Sequence, residues 1–73
     1  MTNQLNPKTR FDLEQEIMEC WRVTKDIQDF YHARENMDED QQMNYLLGLE
    51  TMYEVKFEKL WNTFEQCVQT KQV

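Results

Sequence analysis

Apolar residues recur at alternating steps of four and three in two separate stretches of this chain. The first stretch holds Leu13, Ile17, Cys20, Thr24, Ile27 and Tyr31. The second holds Met43, Leu46, Glu50, Tyr53, Phe57, Leu60, Phe64 and Cys67. Such spacing places each set on one side of an α-helix, in the a/d pattern of coiled-coil seams. With one Gly and one Pro in 73 residues, little interrupts either helix. The pattern predicts an all-α chain of two long helices.

Their ends are legible from capping chemistry. Thr9 is a good N-cap, and Asp12 brings negative charge to the first turn, so helix one is expected from about residue 10 to about residue 34. The segment 34–40 breaks the apolar pattern and offers two caps: Asn36 with Glu39 three residues on, or Asp38 with Gln41. Acids at 38–40 suit the positive end of a second helix, expected from about 39 to about 69. Residues 1–8, polar and holding the only proline, read as a flexible N-terminal arm. Residues 9–73 read as a single helical-hairpin domain with its turn at about 35–38, and the last four residues are expected to fray.

A short connection forces the helices antiparallel. Pairing Tyr31 with Met43, Ile27 with Leu46, Cys20 with Tyr53, Ile17 with Phe57, Leu13 with Leu60 and Arg10 with Phe64 then aligns every layer about a turn near residue 37. The caps give the same turn independently. This register sets Thr24 opposite Glu50 as a buried polar layer, where the carboxylate either reaches the hydroxyl or solvent and fixes the register, or is a buried acid that serves a partner.

Two helices cannot cover the remaining apolar side chains. Trp21, Leu47, Trp61 and Val68 fall on one flank of the hairpin, and Val23, Phe30 and Leu49 on the other. Exposed patches of this kind mark interaction sites, and aromatic residues are enriched at protein interfaces. A chain of this length supplies only about 3–5 kcal/mol from its own core, so a second subunit is expected to help. The expected assembly is a homodimer closing into a four-helix bundle. The alternative is that one flank, led by Trp21 and Trp61, docks on a different protein, and a dimer that buries one flank and presents the other satisfies both. Gly48, placed mid-helix, suits the close approach of another helix.

The net charge of -6 argues against nucleic acid or anionic membrane as a direct partner, since no basic patch offers counterion release. No apolar run approaches the roughly 20 residues of a membrane helix. The polar start does not resemble a signal peptide, so reduced thiols and a cytoplasmic location are expected. The acids, among them Glu14, Glu16, Glu19, Asp26, Asp29, Glu54, Glu58 and Glu65, raise one alternative function, an acidic mimic of nucleic acid that occupies a DNA-binding protein. Arg22, Lys25, Lys56 and Lys59 are interleaved with them, which favours an ordinary solvated face.

A search for chemistry returns little. Cys20 lies 12 residues from the only histidine, His32, about 18 Å along a helix, too far for a nucleophile and its base. Neither cysteine faces the other in the hairpin register, and both read as small core residues. One Asp29-x-x-His32 pair has no second copy to build a carboxylate-bridged metal centre. There is no Cys-x-x-Cys, glycine-rich phosphate loop or calcium loop. No enzyme activity, cofactor or metal is expected.

The runs FDLEQEIMECW at 11–21, LLGL at 46–49 and YEVKFEKLW at 53–61 resemble small acidic proteins of T4-like tailed phages, including cyanophages. The resemblance covers most of the chain and implies a cytoplasmic accessory protein that modulates a host protein. The architecture is also similar to the phycobilisome-degradation adaptor family, short helical hairpins that dimerise. Leu13, Glu14 and Gln15, and the spacing of Met37, Gln41 and Leu46, carry that similarity. Helix one is longer than in that family, so its binding residues are not transferred.

Overall fold

The computed structural model describes residues 8–73, all helical apart from short connections. Helix α1 spans Arg10–Trp21, α2 spans Val23–Ala33, a 3-10 turn covers Arg34–Asn36, and α3 spans Glu39–Gln69. The expected arm at 1–8 lies outside the described residues except for Lys8. Helix α3 has the expected bounds, and Asp38 is its N-cap: Gln41 N–H donates to Asp38 Oδ1 at 2.8 Å, and the Asp38 N–H donates to Gln41 Oε1 at 3.0 Å. Thr9 caps α1 with Asp12 in the same reciprocal way. The Thr9 backbone N–H, 2.9 Å from Asp12 Oδ2, holds that carboxyl below its ordinary value.

The first long helix is divided at Arg22. There the N–H of Arg22 bonds to Glu19 O at 3.2 Å, a tighter three-residue step, and the Thr24 hydroxyl donates to Trp21 O at 3.1 Å. A threonine bonding back onto the preceding turn bends a helix. Helix α1 lies close along α3, whereas α2 meets α3 far less. Side-chain size accounts for the difference. Small Cys20, Thr63 and Cys67 are buried between α1 and α3. Toward the turn, the Phe30 and Tyr45 rings sit between α2 and α3, with centroids 5.2 Å apart.

Backbone hydrogen bonds close the far end of α3, where fraying was expected. Gln72 N–H bonds to Cys67 O at 2.7 Å and Lys71 N–H to Val68 O at 3.2 Å, with Lys71 in the left-handed region at φ 61°. This is a Schellman closure made without its usual glycine.

The hairpin seam differs from the expected one. It runs through Leu13, Glu16, Cys20 and Val23 on the first arm, and through Leu49, Tyr53, Lys56, Leu60, Thr63 and Cys67 on the second. Of the expected seam, Leu13, Cys20, Tyr53 and Cys67 are buried, while Ile17, Ile27, Tyr31, Met43, Leu46, Phe57 and Phe64 are exposed. Steps of three and four from Leu13 reach Glu16 and Val23 as readily as Ile17 and Thr24. The narrower stripe of small and polar residues faces the neighbouring helix, and the broader apolar stripe turns outward. The result is a rod of 48 × 24 × 17 Å with a radius of gyration of 16.2 Å. A compact chain of this length would have about 11 Å.

Candidate interaction surface

The outward stripes of the two arms share one face. Near the open end of the hairpin, Leu13, Ile17, Phe57, Leu60, Trp61 and Phe64 line a groove of about 570 Å³. The groove continues past Trp21 and Thr24, which line the adjoining hollow with Ile17 and Phe57. Toward the turn the face carries Ile27 and Tyr31 on α2 and Met43 and Leu46 on α3, all exposed. Trp61 and Phe64 pack ring against ring at 5.5 Å, which stiffens the groove wall. Phe57 is 50% exposed and Trp61 58%.

The sequence-predicted site residues divide between this face and the seam. Trp21 and Trp61 border the groove. Leu47 and Val68 are exposed on α3. Val23, Phe30 and Leu49, expected together on an exposed flank, are half-buried at the hairpin contact instead. The cause is the rotated seam, which draws that flank inward. The buried Thr24–Glu50 layer is not formed: both residues are exposed. The same rotation carries them onto the open face, where Glu50 shares the stripe of Leu46 and Phe57. Gly48 has open space around it, with nothing within 4 Å of an added Cβ, so among the described residues no helix makes the close approach expected there.

Three polar features stand out. Glu16 is buried at 5% exposure; Lys8 Nζ donates to its Oε2 at 3.2 Å, and its Oε1 has no partner. The signal lay in its position, three residues after Leu13 and four before Cys20. Lys8 also fastens the chain to α3: its N–H donates to Gln66 Oε1 at 3.2 Å, and Cys67 Sγ donates to its carbonyl at 3.8 Å. Third, the Tyr53 hydroxyl donates to Asp26 Oδ2 across the hairpin. Burial, then that hydrogen bond, pushes the Tyr53 phenol up to about 12.

Both cysteines are free and buried, and burial pushes the Cys20 thiol up, which disfavours the thiolate. Among the described residues no three His, Cys, Asp or Glu side chains come together as a metal site, and no helix is long and apolar enough to cross a membrane. No protein-family model matches the chain, and no curated protein or solved structure is significantly similar to it.

Proposed function

We propose that this chain is a non-catalytic protein–protein interaction module that pairs with a second copy through its open face, closing a four-helix bundle. The carrying observation is the continuity of that face along both arms. Eight large side chains on it (Ile17, Ile27, Tyr31, Met43, Leu46, Phe57, Trp61 and Phe64) are between 38% and 59% exposed. At about 200 Å² for a large aromatic and about 150 Å² for an aliphatic, they present about 700 Å² per chain, or about 1,400 Å² for a pair. That is the size of a standard stable interface. The margin of the face, with Trp21 and Leu47, then remains for a cognate or host protein, the accessory role that the phage resemblance implies. An acidic mimic of nucleic acid has less support, because acids are paired along the helix with bases, as in Arg10–Glu14 at 3.4 Å and Lys25–Asp29 at 3.0 Å.

Light scattering over a range of concentrations tests the pairing. The expected mass is twice the 9.0 kDa of the chain. A mass that stays at 9.0 kDa at high concentration refutes it.

A further inference from the structure

The open face is uneven along its length. At the end away from the turn it is a groove, floored by buried Leu13 and half-buried Leu60 and walled by Ile17 and Phe64 at 40% and 38% exposure. At the turn end Ile27 and Tyr31 line a second hollow beside exposed Met43, and what changes along the face is the charge around it. Resting on the pairing proposed above, we infer that the second copy lies head to tail, with the turn of each hairpin over the groove of the other.

A two-fold axis near the middle of α3 (Glu39–Gln69) lets the two rods overlap along nearly their full length in this arrangement.

Charge supports the arrangement. The turn carries Glu35, Asp38, Glu39 and Asp40 against Arg34 alone. The opposite end balances its acids with bases, Lys8 pairing with Glu16 and Arg10 with Glu14, and adds Lys59 and Lys71. Turn-to-turn stacking would bring two acidic clusters together, whereas head-to-tail stacking sets each cluster against this more balanced end. Like-charge juxtaposition selects against a wrong arrangement.

Pulsed electron-spin distance measurement on the full chain distinguishes the two. A spin label is placed at Asn36→Cys in the exposed turn, and separately at Lys71→Cys at the other end. Native Cys20 and Cys67, 4% and 0% exposed, stay unlabelled in the folded protein, which the unsubstituted chain checks under the same conditions. Head-to-tail pairing predicts above about 40 Å for each variant alone, close to the length of α3. It also predicts a new distance below about 30 Å when the two variants are mixed. A short distance within either variant alone overturns the inference while leaving the pairing intact. Absence of any intermolecular distance, with a mass of 9.0 kDa, overturns the pairing itself.

Discussion

Replacing Phe57 by Ala removes the ring at the middle of the open groove. In the single hairpin that ring is 50% exposed, so about 100 Å² of it waits to be covered. Allowing for what Ala still buries, about 80 Å² of apolar contact is lost per chain, about 2 kcal/mol at 25 cal/mol per Å². A two-fold interface contains the residue twice, so the loss is about 4 kcal/mol per dimer, or roughly a thousandfold in Kd. Sedimentation equilibrium measures it directly, and helicity followed against concentration measures it through folding. Val55→Ala is the control. Val55 is 60% exposed, as open as Phe57, but lines neither hollow of the face. If Phe57→Ala leaves Kd within tenfold of the parent, or if Val55→Ala weakens association as much, the open face is not where the chains meet.

Glu50→Leu is expected to tighten self-association at least tenfold, measured by the same sedimentation, because pairing would otherwise bury a carboxylate among Leu46 and Phe57. Tyr53 adds a dependence at high pH. Its phenol is protonated in the fold up to about 12, against 10.0 as the ordinary value. Its contribution to stability is therefore complete below 10 and is lost as pH rises from 10 to 12. Chemical denaturation across that range should show the fall, and Tyr53→Phe should flatten it. Lys71→Gly should raise the unfolding free energy by about 1 kcal/mol, since glycine takes the left-handed conformation without the Cβ penalty; unchanged thermal melting would count against the helix closure described above.

Local chemistry made the elements legible in the sequence. Thr9 and Asp38 mark where helices begin because each satisfies free N–H groups within three residues, and no distant contact is needed to decide that. The choice between Asn36 and Asp38 turned on a difference of two residues, which the reciprocal bond from Gln41 resolves in favour of Asp38. The seam was harder to read. From Leu13 the chain offers two overlapping stripes, one through Ile17 and Thr24, the other through Glu16 and Val23. Apolar content favours the first. The second wins the intramolecular contact because small groups let backbones approach and Lys8 meets the Glu16 carboxylate. That ion pair depends on residue 8 reaching forward along α1 by about two turns, which periodicity does not encode. Misplacing the seam also misplaced Thr24, Glu50, Val23, Phe30 and Leu49 together, since rotation of a helix moves all its faces at once. The bend at Arg22 likewise depends on which acceptor the Thr24 hydroxyl takes, and spacing does not reveal that.

The distribution of packing along the hairpin bears on how it folds. The best-buried contacts join α1 to the distal half of α3, where Leu13, Cys20, Thr63 and Cys67 lie, while α2 beside the turn has no fully buried residue. Closing the turn therefore brings little early reward. The contacts that hold the rod together link residues far apart in the chain, and their loop-closure entropy is lost before they form. A helical hairpin of this kind has a higher contact order than its simple topology suggests. It should fold more slowly than one that zips from its turn, and a second chain bound across α2 and α3 would supply the stability that the turn-proximal half does not provide for itself.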